Sequence, residues 1–330
     1  MLAPRVLILA GGLSHEREVS LRSGRRVAET LRESGCAVSV SDVDAHLLEH
    51  VMSGTVDVVW PLIHGATGED GSIRDVLELT GIPYLGSSAQ ACRLSWDKSV
   101  AKDLIGEVGL RTPEFVALPD SVFRELGAGP VLTVMVSQLG LPLVVKPARG
   151  GSGLGATAVR TPADLPRAMV DCFAYGDVAL VERLVAGVEV AVSVIDTGSG
   201  PVSLPPVEIV PDSELYDYGA RYTAGSTEFF CPARLTPETL AAVQDAALTA
   251  HRVFGLRHVS RTDMIVDANG EPWFLEVNVA PGMTETSLLP MSIEAAELSP
   301  RQVYRQLVET VLETKPAEAP DASVVSRETF

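Results

Sequence analysis

The chain has 330 residues, 46% of them hydrophobic, with 28 Gly and 22 Pro. At roughly 100–200 residues per domain this length predicts two or three domains, and the composition excludes full-length disorder and the collagen-like and proline-rich classes. Lys and Arg number 26 against 43 Asp and Glu, a net charge of −17, which suits neither nucleic acid nor an anionic membrane as a partner but leaves room for a local basic pocket for phosphates.

The four cysteines, Cys36, Cys92, Cys172 and Cys231, lie far apart and form no CxxC pair, the pattern of buried structural thiols in a reducing compartment. The longest apolar runs fall far short of the ~20 residues of a membrane span. The N-terminal MLAPRVLILAGG passes straight into a glycine turn and a charged helix, so it reads as a first strand rather than a signal peptide. A cytoplasmic protein is expected.

Residues 5–10 are apolar and bounded by Gly11 and Gly12, which predicts a buried parallel strand. A helix is expected over 20–31 with Ser20 as its N-cap. Strands at 37–43 and 58–63, a helix at 73–80 and a short strand at 83–85 follow. This alternation predicts an open α/β sheet, whose functional loops lie beyond the strand carboxyl ends, here 11–16 and 64–70.

After Lys98 the pattern changes. A helix at 100–108 leads to a strand at 114–117, mixed helix and loop over 122–139, and a strand at 143–146. That strand enters the glycine-rich ARGGSGLG and a strand at 157–160 leaves it. A helix at 163–173 and a strand at 178–182 complete this part. Then come strands at 189–196, 207–210, 260–266 and 272–276, with a helix at 237–254. The Pro/Ala/Ser-rich tail from Lys315 predicts disorder. The expected division is 1–97, 98–186, 187–314 and the tail 315–330.

Three segments carry chemistry. In RTDMIVDANGEPWFLEVN, the turn 267–270 makes a hairpin. Asp263 sits on one strand, and Glu276 and Asn278, two apart, share a face of the other. Two carboxylates and an amide oxygen are hard ligands suited to Mg²⁺ carrying nucleotide phosphates; solvated carboxylates on an exposed hairpin are the alternative. Arg261, on the same face, adds a cation for an anionic intermediate. Second, Lys146 precedes a loop whose glycines let backbone N–H groups approach phosphate. The loop is not a Walker A, and a plain mobile hairpin loop fits it equally. Third, residues 181–185 end a strand that can offer backbone groups to an adenine edge, with Glu189 in reach of ribose hydroxyls. An ordinary strand with solvated acids is the other reading.

Lysine, glycine-rich loop, acidic hinge and Asp…Glu-x-Asn, in that order, resemble the ATP-grasp layout. Within it the chain is similar to the D-alanine–D-alanine ligase family over residues 5–310. The carrying motifs are GGLSHEREVSL (11–21), HGATGEDGSIRDVLELTGIPYLGS (64–87), WDK (96–98), LVVKPARGGSGLG (143–155), LYDYGARY (215–222), FFCPA (229–233) and FLEVNVAPGMTETSLLP (274–290). The resemblance implies an α/β fold, α+β in the ATP-grasp part, with an N-terminal Rossmann-like open parallel sheet.

It also implies roles. Glu16 and His64 would hold the first D-alanine, and Ser287 and Leu288 the carboxylate of the second. Lys98 and Lys146 would hold ATP phosphates, with Ser152 also at the nucleotide and Arg221 as a further cation. Glu182, Arg183, Val185, Glu189 and Leu275 would contact adenine and ribose. Asp263, Glu276 and Asn278 would bind Mg²⁺, two ions, with Mn²⁺ possible in their place. Arg261 and the Gly282 N–H would stabilise the oxyanion. Ser152 and Tyr222 would link with Glu16 as a lid closes. A homodimer is the implied assembly. Gly150 and Gly153 stand where the family usually has Glu and Ser, Arg221 where it has Lys, and Val279 where it has Thr. These departures leave a different dipeptide, or a D-Ala–D-lactate or D-Ala–D-serine product, as the alternative.

Overall fold

A computed structural model describes residues 3–223 and 225–314; the expected disordered tail lies outside the described residues. Three sheets organise the chain. The first is parallel, with Arg5–Leu9 between Ala37–Ser41 and Val58–Pro61. Leu7, Ile8 and Leu9 are fully buried, as the uninterrupted apolar run requires of a strand covered on both faces. The expected strand at 83–85 is a single bridge, Tyr84 to Val59.

The first helix begins at Arg17, a turn earlier than expected, and ends at Glu33. Ser20 therefore lies inside it and does not cap it. Its buried Oγ accepts from the Gly11 N–H at 2.8 Å and donates to the Leu62 carbonyl at 2.6 Å. The hydroxyl is used to fasten two site loops to each other, which outweighs capping.

The second sheet is antiparallel, in the order Phe115–Pro119, Val178–Arg183, Leu143–Pro147, Thr157–Val159. The mixed stretch 122–139 resolves into two helices, Asp120–Leu126 and Ala128–Leu139. They break at Gly127, whose φ of 81° suits glycine. The third sheet runs Thr227–Phe230, Val207–Pro211, Val188–Ile195, Val259–Val266, Pro272–Asn278, with Val202–Ser203 pairing to 188–195. The helix Pro237–Val253 covers one face of it through Val243, Ala246 and Ala247.

Two helices tie the sheets together. Lys98–Glu107 packs Ala101 and Ile105 against Phe274 and Val277 of the third sheet. Pro300–Glu313 returns to the first sheet, where Tyr304, Leu307 and Val308 join Val6, Ile8 and Trp60 in one core. The Trp60 and Tyr304 rings meet edge to face at 5.5 Å. Cys36, Cys92 and Cys172 are buried and Cys231 half-buried, all as free thiols. No described helix is long and apolar enough to cross a membrane.

Candidate active site

The 259–278 hairpin forms the floor of the site. Its register places Arg261 opposite Asn278 and Asp263 opposite Glu276, so all four share a face. Like charges directly opposite in a sheet destabilise it unless compensated. Here compensation is built in. Arg261 donates from Nε and Nη2 to both oxygens of Asp263, each at 2.7 Å, and Lys98 Nζ stands 3.2 Å from Glu276. Burial alone would raise the Glu276 carboxyl, but Lys98, Arg221, Lys146 and Arg261 outweigh it and hold the group at about 2. The Arg261 guanidinium is likewise held charged: Asp263 outweighs the burial that opposes it.

Two adjoining cavities open on this floor and share Lys98, Gly150, Gly151, Tyr216, Arg221 and Glu276 as their common wall. The first contains Glu16, His64, Ser152, Tyr222, Arg261, Asn278, Gly282, Ser287 and Leu288. The second contains Lys146, Glu182, Arg183, Val185, Glu189, Asp263 and Leu275. Every candidate residue therefore lines one cavity or the other.

In the first cavity, Ser152 joins three elements. Its Oγ donates to Glu16 Oε1 and lies 2.6 Å from the Tyr222 hydroxyl. A serine hydroxyl has one proton, so Tyr222 is the donor to Ser152. The chain runs Tyr222 to Ser152 to Glu16 and latches the glycine loop and the short helix Tyr218–Tyr222 to the N-terminal unit. A Cβ on Gly151 would stand 3.2 Å from Glu16 Oε2, so the loop sits against that carboxylate. His64 is buried, and that burial, together with Arg261, lowers it to about 4; it is neutral at pH 7. A Cβ on Gly282 would meet Ser287 Oγ at 2.7 Å. That hydroxyl accepts from the Thr284 N–H at 2.9 Å and pairs with the Thr284 hydroxyl at 2.8 Å.

In the second cavity, Glu182 has both oxygens engaged by lysines: Lys146 at 2.5 Å and Lys102 at 2.7 Å. Burial would raise it, but the two lysines outweigh burial and keep it ionised. The Arg183 side chain turns to Glu114 at 3.3 Å. With both side chains committed, the 182–185 segment offers its backbone to a ligand. Glu189 is pushed up to about 7 by burial, which Arg221 only partly offsets. Arg221 lies over the Tyr216 ring at 4.3 Å.

Three site residues escaped sequence reasoning. Glu69, buried and lining the first cavity, is pushed up to about 8 by burial and then by Glu16; the GEDG run contains it. Tyr216 lies in the shared wall. Lys102 follows Lys98 by one helical turn, and that spacing is its only signal. For a divalent ion, no cluster of three or more His, Cys, Asp or Glu exists among the described residues. The candidate set is instead two carboxylates and the Asn278 amide, whose Oδ1 accepts from the Ala280 N–H at 2.9 Å and keeps a second lone pair. Such a partial oxygen set fits an ion completed by phosphates and water.

Family models match most of the chain. That for the D-ala D-ala ligase C-terminus matches residues 104–310, and that for its N-terminus residues 44–87. A D-alanine–D-alanine ligase of Anaeromyxobacter sp. (strain K) is 41% identical over 309 residues, 94% of this chain and 96% of that protein. The chain belongs to the D-alanine–D-alanine ligase family. Another member, from Bordetella petrii, is 38% identical over 295 residues, 89% of this chain and 88% of its own. Among solved structures, the ATP complex of a D-alanine–D-alanine ligase from Bacillus anthracis superposes with a TM-score of 0.78 at 29% identity, covering 95% of this chain and 98% of that one. A D-Ala:D-Ser ligase from Enterococcus faecalis superposes at 0.82 with 27% identity, covering 94% and 99%. The ATP-grasp fold expected from the sequence is thus shown, and so is a ligase.

Proposed function

We propose that the chain joins two D-alanines into D-alanyl-D-alanine at the expense of ATP, for peptidoglycan precursors. The observation that carries this is the shared wall. A cavity lined by lysines and a strand-end backbone meets, at Lys98 and Glu276, a cavity holding a carboxylate, an arginine and the Gly282 N–H.

ATP fits the second cavity, with its phosphates toward Lys98, Lys146 and Arg221, its adenine on the 182–185 backbone and Leu275, and its ribose toward Glu189. Asp263, Glu276 and Asn278 would hold Mg²⁺, two ions, with Mn²⁺ the alternative; bound there, the metal neutralises phosphate charge. The first D-alanine places its ammonium by Glu16 and His64 and its carboxylate toward the γ-phosphate. Attack gives an acyl phosphate and ADP. The amine of the second D-alanine, its carboxylate near Ser287 and Leu288, then attacks the acyl carbon, and phosphate leaves. Arg261 and the Gly282 N–H face the oxyanion, a donor type typically worth about 3–4 kcal/mol. Acyl phosphates hydrolyse readily, so the Tyr222–Ser152–Glu16 latch serves to exclude water.

The three sheets support the division at about residues 97, 186 and 314, with the return of 300–313 to the first sheet as a cross-tie. A homodimer and a cytoplasmic location belong to the same reading. The test is competition: equal D-alanine, D-serine and D-lactate offered with labelled first substrate at pH 6 and pH 8.5, products separated. Tyr222, the residue of dipeptide-forming members, supports D-alanyl-D-alanine as the main product. Its amine must be deprotonated to attack, so its share rises with pH. D-Ala–D-Ser or D-Ala–D-lactate as the main product at both pH values would refute the choice of acceptor.

A further inference from the structure

Lys102 lines neither cavity, yet it is completely buried, with its side chain 0% exposed. It rises from the Lys98–Glu107 helix, under the second sheet, with Nζ 5.2 Å from the centre of the Phe115 ring and 2.7 Å from Glu182 Oε2. The other Glu182 oxygen belongs to Lys146, which does line the nucleotide cavity. Strand register explains the meeting: Glu182 pairs with Val144, so Lys146, two residues along, projects on the same face. Two lysines therefore share one buried carboxylate, and the cluster carries a net positive charge.

Sharing has a consequence for ligand binding. Lys146 has three N–H donors, and those it turns to a phosphate are ones it no longer gives to Glu182. If Glu182 had no other partner, releasing Lys146 would leave an uncompensated buried carboxylate, among the most costly states in a protein interior. Lys102 removes that cost. We infer that Lys102 is a positioning residue of the nucleotide site, which holds Glu182 so that Lys146 is free to turn to the phosphates of ATP. The inference rests on the nucleotide reading of the second cavity.

The experiment measures binding of a non-hydrolysable ATP analogue with Mg²⁺ to the full chain by calorimetry, alongside separate KM values for ATP and D-alanine. Lys102→Met is expected to weaken analogue binding at least about tenfold, since loss of one partner of a buried charge pair is costly, with the D-alanine KM within twofold. Glu182→Gln in the same chain is expected to bring binding to within about threefold of Glu182→Gln alone, because a neutral amide retains Lys146 less strongly. A purely structural lysine would lower Tm without this selective loss or its rescue. If Lys102→Met alone does not fold, Glu182→Gln is compared with the Lys102→Met/Glu182→Gln double variant. Equal affinities support the inference, and a tenfold gap overturns it. A folded Lys102→Met that binds the analogue like wild type also overturns it. Wild type failing to bind the analogue refutes the nucleotide reading, and the inference with it; normal wild-type binding that is lost in Lys146→Met shows that reading to stand on its own.

Discussion

Ser152→Ala tests the latch most directly. The substitution removes the donor to Glu16 and the acceptor for Tyr222. A hydrogen bond to a charged group contributes about 1.5–3 kcal/mol and a neutral one about 0.5–1.5. Tyr222 is 42% exposed, so water replaces most of its share, whereas Glu16 is 8% exposed and is left short of a partner. About 2–3 kcal/mol of closure is lost, or about 30- to 150-fold in kcat/KM for D-alanine. ATP affinity should change less than threefold, because Ser152, expected from the sequence at the nucleotide, lies in the first cavity and not the second. Ser152 also sits at φ 55°, which a non-glycine residue adopts at some cost. Ser152→Gly relieves that cost and removes the latch as well; it should fall like alanine if the hydrogen bonds matter and recover if the strain does. The assay is coupled ADP release with D-alanine varied at saturating ATP. Retention of more than half of wild-type kcat/KM by Ser152→Ala would refute the latch.

Glu276→Gln should reduce turnover more than about a hundredfold at saturating Mg²⁺ with the far-ultraviolet spectrum unchanged, since it removes one of two candidate carboxylate ligands; ADP release above half the wild-type rate would contradict the metal assignment. Gly282→Ala should cost about tenfold in kcat: its Cβ would stand 2.7 Å from Ser287 Oγ, and the hydroxyl must leave Thr284 to make room. Glu69→Gln tests the buried acid by thermal unfolding against pH. Its folded-state value of about 8 lies above the ordinary 4.5, so its contribution to stability is complete below pH 4.5 and is lost as pH rises through 8. The permanently neutral variant escapes that loss, and its Tm relative to wild type should climb between pH 5 and pH 8.5; a constant difference would show that Glu69 is not buried as an acid.

Part of the hairpin was legible, because period two is a local rule that puts Glu276 and Asn278 on one face; Asp263 joins them only through the register shift next to it, since Met264 pairs with Phe274 and an unshifted register would set Asp263 opposite Leu275. The rule fails one residue away. A bulge between Asp263 and Met264 leaves Leu275 outside the paired register, and Leu275 lines the nucleotide cavity beside Glu276 although alternation would oppose them. Bulges depend on both strands and leave no mark in either. The glycine loop was legible as a loop, but its contact with Glu16 spans 136 residues and no spacing encodes it. Ser20 looked like a cap because caps and buried tethers use the same hydroxyl. The return of 300–313 to the first sheet depends on complementarity between Tyr304 and Trp60, which periodicity shows only as an amphipathic helix.

The charge arrangement joins these observations. The chain carries −17 overall, yet each central carboxylate of the site holds a cation: Asp263 holds Arg261, Glu276 holds Lys98, and Glu182 holds Lys146 and Lys102. Acidic residues thus keep basic ones folded inward, in a region where like charges alone would repel. A nucleotide arriving with its own negative charge competes for the lysines among these cations, so binding becomes an exchange of partners. Glu182 alone keeps a lysine in reserve. On the proposed nucleotide reading, Lys98 and Lys146 line the nucleotide cavity and Arg261 lines the other one, so an arriving polyphosphate competes with Glu276 and Glu182 for the two lysines and leaves the Arg261–Asp263 pair in place.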